Sequence, residues 1–227
     1  MWTIPKRRNP WSAGFTAFGS GDSDTDRRFR VVNHATDASS ALQRTVTAYR
    51  KSGDVGVLLS ALDEIARAFP TAELVTALAP YMELHEVAGP VFEAIVAREP
   101  DNARALVALA NAYWLTGRGP EVVSGLATRA LAADPANRAA WHLSALAQAS
   151  PRERTERWGE VVNRFPDDDL ARANLADNAA SLAGSENDSV ALKLAISSYE
   201  VLLARATRPD QRAALEKAIA ALTGWTG

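Results

Sequence analysis

The side chains that could do chemistry are few, and their spacing does not support it. The 227-residue chain has no cysteine. Disulfides, thiolate metal sites and thiol nucleophiles are therefore excluded. Its three histidines, His34, His85 and His142, lie far apart. No His-Glu-x-x-His occurs, and no two histidines lie at i, i+4, the spacing that puts a zinc pair on one helix face. Asp22, Asp24 and Asp26 imitate the opening of a calcium loop. The sixth and twelfth places of such a loop need Gly and a bidentate Glu. Here they hold Arg27 and Asn33. Asp167, Asp168 and Asp169 follow Pro166. They read as a helix start, where carboxylates cap free N–H groups and meet the positive end of the dipole. Gly19-Ser20-Gly21 lacks the Gly-Lys-Ser/Thr of a phosphate loop. No nucleophile, base and orienting group come together. The sequence predicts no enzyme, no cofactor and no metal ligand.

Charge and hydropathy narrow the class further. Lys and Arg number 25 against 27 Asp and Glu, for a formal charge of -2. That balance argues against binding nucleic acid through bulk charge. No apolar run is long enough to span a bilayer. The basic start, Lys6-Arg7-Arg8, has no apolar stretch behind it. A cytoplasmic location is the expectation. The chain is alanine-rich and poor in β-branched runs bounded by turn residues, which favours helices throughout.

Two regions must hold whatever site exists. Residues 1–36 carry six basic and three acidic residues, with Trp2, Ile4, Trp11, Phe15 and Phe18 among them and no helical period. They read as a flexible basic and aromatic arm. Trp2, Trp11, Phe15 and Phe18 are its candidate contacts to a partner, a membrane surface or the chain's own groove. Residues 37–227 read as a helical repeat domain. Pro70, Pro100, Pro135 and Pro166 act as a ruler along it. Each stops one helix and opens the turn to the next. Apolar stripes at i, i+3, i+4, i+7 precede them in pairs. Examples are Leu106, Leu109, Ala110 and Tyr113, then Leu42, Thr45, Val46 and Tyr49, then Leu74, Ala77, Leu78 and Tyr81. Ser52-Gly53-Asp54 and Thr116 to Pro120 supply turns within pairs. A fifth pair is expected at 168–205, turning at Gly184 to Asp188. A last helix from Pro209 to Leu222, with Leu215, Ala218, Ile219 and Leu222 on one face, is expected to cap the end.

This pattern resembles the tetratricopeptide repeat, whose unit is W-x2-L-G-x2-Y, then A-x3-F, then P over about 34 residues. Residues 39–70 fit without a gap through Leu42, Val46, Tyr49, Gly53, Leu58, Leu62 and Pro70. Residues 103–135 fit with one insertion, 71–100 with a two-residue deletion, and 138–166 more loosely. The resemblance implies an all-α, right-handed α-solenoid of about five helix-turn-helix repeats with a C-terminal capping helix. It also implies that the first helices of successive pairs line a partner-binding groove. If the apolar stripe faces the core, the flanking stripe is Val107, Asn111 and Trp114, with packing against the neighbouring repeat as the other reading of Trp114. The matching places are Gln43, Thr47 and Arg50, then Val75, Ala79 and Met82, then His142, Leu146 and Ala149. Arg44 and Lys51 adjoin the first set. The expected groove residues are thus Arg44, Arg50, Lys51, Val75, Met82, Val107, Asn111, Trp114 and His142. The implied function is a non-enzymatic adaptor or scaffold holding a peptide or helix of another protein. The readings kept beside it are a small helical enzyme or metal-dependent helper with a site assembled across repeats, and a self-assembling homo-oligomer.

Overall fold

The computed structural model describes residues 37–226. The arm, including Trp2, Trp11, Phe15 and Phe18, lies outside the described residues. These form helices and turns only, in two compact units that divide between Arg98 and Glu99.

The first unit holds α1 (Ala38–Ser52), α2 (Val55–Ala68), α3 (Thr71–Leu78), a single 3-10 turn (Ala79–Tyr81) and α4 (His85–Arg98). Asp37 starts α1 by accepting the Ser40 N–H at 2.9 Å. Gly53 ends it in the left-handed region, φ 68°, donating its N–H to the Tyr49 carbonyl. A left-handed residue at this place is where glycine carries no Cβ penalty. Asp54 then caps α2 through Val57 N–H. Two helices are thereby joined by two residues, as Ser52-Gly53-Asp54 predicts. α1 packs on α2 and α3, and α2 packs on α4. Leu42, Val46, Leu58, Leu62, Leu74, Leu78, Phe92 and Ile95 are buried there. Each such side chain contributes about 1.5–3 kcal/mol on leaving water. Pro70 caps α3 directly. α3 stops early because Pro80 has no N–H for the Thr76 carbonyl, and the chain tightens into the 3-10 turn.

The second unit holds α5 (Ala103–Leu115), α6 (Pro120–Ala133), α7 (Arg138–Leu146), α8 (Pro151–Arg164), α9 (Asp169–Glu186), α10 (Ser189–Arg205) and α11 (Pro209–Thr223), then a 3-10 turn (Gly224–Thr226). Each helix from α5 to α11 packs on the next, and α5 also touches α7. Three opening turns are built alike. Asn102, Asn137 and Asp168, each two residues after a ruler proline, accept the N–H of Ala105, Ala140 and Ala171 at 3.0, 3.1 and 3.1 Å. The capped alanines are buried.

Five helix pairs and a closing helix thus stand where the ruler puts them. Leu222 of α11 is buried against Leu182, Leu192 and Ala195. One turn departs from expectation. α9 continues through Gly184 to Glu186, because Asn187 takes the left-handed conformation, φ 52°, and Asp188 caps α10 through Val190 and Ala191. A Cβ on Gly184 would stand 3.3 Å from the Trp225 ring, so this glycine makes room for an indole rather than a turn.

Candidate functional site

The face of α1 turned away from its core stripe is exposed along its length. It carries Gln43, Arg44, Thr47, Ala48, Arg50 and Lys51. Five of these, all but Arg50, line a shallow open depression of about 410 Å³. Thr47 donates its hydroxyl back to the Gln43 carbonyl at 2.7 Å. Arg50 and Lys51 sit in the last turn, where the helix end is partly negative. Sequence reasoning offers Asp63 or Glu64 as a partner for Arg50. In the structure Asp63 is paired with Arg67 of its own helix.

On the next first helix, Val75 is half-buried on α3. Met82, also half-buried, follows the 3-10 turn. The i, i+4, i+7 spacing assumed one continuous α-helix, so Ala79 and Met82 leave the predicted stripe for the reason given by Pro80.

In the second unit α5 keeps its register. Leu106, Leu109 and Ala110 are buried, Val107 and Asn111 are half-buried, and Trp114 is 38% exposed. Trp114 is therefore no core side chain. Leu115 and Val122, exposed beside the α5–α6 turn, extend the apolar surface. Arg118 stacks over the neighbouring Tyr113 ring at 5.2 Å.

His142 requires a correction. It is 3% exposed and lines no open surface. Its Nε2 lies 2.8 Å from Asp168 Oδ2, whose other oxygen caps α9, and Arg138 Nε approaches the same Oδ2 at 3.7 Å. Its ring meets Trp158 edge-on at 5.1 Å between centroids. The Trp158 indole N–H is buried without a hydrogen-bond acceptor among the described residues. Burial pushes the His142 imidazole below its ordinary 6.5, and Asp168 pulls the other way. The neutral ring therefore donates from Nε2 to the carboxylate. The helical wheel of α7 puts His142 on the flanking stripe, but the Asp168 cap of α9 and the Trp158 ring of α8 cover it. Ala149 lies beyond the end of α7.

Other polar side chains hold the repeats together. Trp141 donates to the Pro135 carbonyl at 3.0 Å, with Arg157 4.3 Å and Arg164 5.5 Å from its ring centroid. Arg152 joins Glu186 and Asp188 at 2.6 and 3.1 Å. Tyr199 donates to Asp177 at 2.6 Å, and burial with that carboxylate raises its phenol pKa. Among the described residues no group of three or more His, Asp or Glu could hold a metal ion, and no helix is long and apolar enough to cross a membrane.

No family model matches the chain, and no curated protein matches it in sequence. Solved structures do. One is TTC0263, a thermophilic TPR protein of Thermus thermophilus, with a TM-score of 0.52 and 18% identity over 81% of this chain and 99% of that one. A tetratricopeptide-repeat fold is what this chain has. Residues 41 to the end of MamA from Desulfovibrio magneticus RS-1 superpose with a TM-score of 0.52 and 16% identity, covering 76% of this chain and 99% of that one. A further MamA crystal structure gives 0.50 and 16% over 72% and 92%. At these identities the likeness is one of backbone.

Proposed function

We propose that this protein is a non-enzymatic adaptor that holds a segment of a partner protein against the outward faces of its first helices. The observation that carries this reading is the open stripe of α5. Val107, Asn111 and Trp114 flank a well-packed core stripe and remain accessible. A partly exposed Trp beside an amide that can bond a peptide backbone is the composition found at energetic centres of interfaces. The likeness to a TPR protein and to MamA supports a scaffold, because stacked helix pairs present extended binding surfaces.

Trp114→Ala tests this. Partners captured from the host by the wild-type chain are identified and then titrated against both proteins. The variant should bind about thirtyfold more weakly, corresponding to an interface loss of ~2 kcal/mol. Its thermal stability should fall by far less than the ~3–5 kcal/mol expected for a truncated core Trp. A large loss of stability with unchanged affinity per folded molecule would remove Trp114 from the interface.

A further inference from the structure

We propose that the outward face of α1 is a docking site for an acidic, extended segment of a partner protein; this rests on the adaptor reading and narrows the partner. Three observations carry it. The face lines a shallow, open depression through Gln43, Arg44, Thr47, Ala48 and Lys51. It is cationic, with Arg44, Arg50 and Lys51 on a helix that contains no acidic residue. Among the described residues no ion pair engages these three cations, and Asp63 of the following helix is taken by Arg67.

Position separates the cations. Arg50 and Lys51 have a structural reason to be where they are, since cations in a last turn complement the helix end. Arg44 lies mid-helix, about two turns from either cap, and has no such reason. Arg44 and Lys51 are seven residues apart, about 10 Å along the axis at 1.5 Å per residue. A peptide in the polyproline II conformation repeats every three residues and advances about 3.1 Å per residue, so carboxylates at i and i+3 lie on one side about 9 Å apart and match them. The face therefore selects an acid-x-x-acid pattern.

Other occupants fit less well. Residues 1–36 of this chain carry six basic and three acidic residues, and their one acidic run, Asp22 to Asp26, spaces its carboxylates two residues apart and runs straight into Arg27 and Arg28, which would set cations beside Arg44 or Lys51. A nucleic acid would meet three cations on one helix of a chain with net charge -2, too few for the phosphate contacts that drive such binding.

The test uses the full chain and three labelled heptapeptides: Gly-Glu-Ser-Ser-Glu-Ser-Gly, an all-serine control, and a version with the two glutamates adjacent. Anisotropy titrations should show the spaced peptide binding more tightly than the adjacent one, and the control not binding. Affinity should fall at least tenfold from 50 to 300 mM NaCl and at least tenfold in Arg44→Glu, while Arg44→Lys retains most of it. Circular dichroism and thermal melts confirm that the variants fold. Binding unchanged in a folded Arg44→Glu overturns the proposal, as does equal binding of the serine peptide. Tighter binding of single-stranded DNA or anionic vesicles through Arg44 overturns it in favour of that ligand. A change of mass by light scattering in Arg44→Glu overturns it in favour of a second copy of the chain. The two readings fail separately. Absent peptide binding with a positive Trp114 result removes acid selectivity and leaves the adaptor. Peptide binding with a negative Trp114 result removes the α5 face and leaves an acid-binding α1.

Discussion

His142 and Asp168 occupy the places that Val107 and Asn137 hold one repeat earlier. The substitution turns an apolar contact and a neutral cap into a buried hydrogen bond of 2.8 Å. Asp168 and Arg138 are the charged groups acting on the imidazole, and α8 presents the neutral Trp158 ring to it. Its pKa is lowered in the fold, so the unfolded chain binds the proton more readily. The stability this brings is present above about 6.5 and is lost as the pH falls below it. Thermal melts of the wild type should show a lower midpoint at pH 5 than at pH 7.5. The double variant His142→Val with Asp168→Asn, which copies the preceding repeat, should flatten that difference. A pH response equal in both proteins would assign it elsewhere. Asp37, Asp188 and Asp210 also have lowered values, from bonds to Ser40 N–H, Ala191 N–H and Arg208 respectively, but their ordinary value is 3.8 and they act in a more acidic window. At this scale the sequence was a partial guide. The register of α5 put Trp114 on the flanking stripe but left open whether a neighbouring repeat covers it, and the structure leaves it 38% exposed. The burial of His142 was not legible, because the group that covers it comes from 26 residues away.

At the scale of the helix pair, one device recurs that no helical wheel shows. The arginine near the end of a second helix reaches back to a carbonyl of the turn that opens its own pair. Arg98 donates to Phe69 O at 3.3 Å, Arg129 to Pro100 O at 2.9 Å and Arg205 to Pro166 O at 3.3 Å. In the fourth pair the Trp141 indole takes the Pro135 carbonyl, and Arg164 stacks on that indole instead. Arg129→Ala should therefore lower stability by about 1 kcal/mol, the ordinary net worth of such a bond. Arg164→Ala should leave the Pro135 carbonyl satisfied and its bond to Trp141 intact. Urea titrations of the two variants check this, and equal or reversed losses would contradict it. The helices themselves were legible, since prolines, Asn and Asp caps, and 3.6-residue stripes are local signals. The arginine ties were not, because the partners stand 29 to 39 residues apart. Gly184 misled for the same reason: a glycine reads as a turn until the Trp225 ring that occupies its missing Cβ is known.

Over the whole molecule, packing is nearest-neighbour, and the chain divides into two units with their own cores. Such arrays unfold as coupled local units rather than as one block. The tryptophans offer a way to see this. Trp114, Trp141, Trp158 and Trp225 all lie in the second unit, while the described part of the first has none. In a urea titration of a chain carrying Trp2→Phe and Trp11→Phe, indole fluorescence should follow the second unit and far-ultraviolet circular dichroism should follow both. The two curves should not coincide, and coincident curves would show a single cooperative block. The arginine ties have a consequence on another timescale. In three pairs, both the donor and the carbonyl it closes lie within the stretch from the turn that opens the pair to the end of its second helix, so one stretch of coding DNA carries both. A tandem duplication of that stretch copies the clasp complete, and a deletion removes it complete. Neither leaves a half-made bond in the neighbours. The fifth pair, whose tie spans 39 residues rather than 29, shows that such a segment can also lengthen in place and still close on itself.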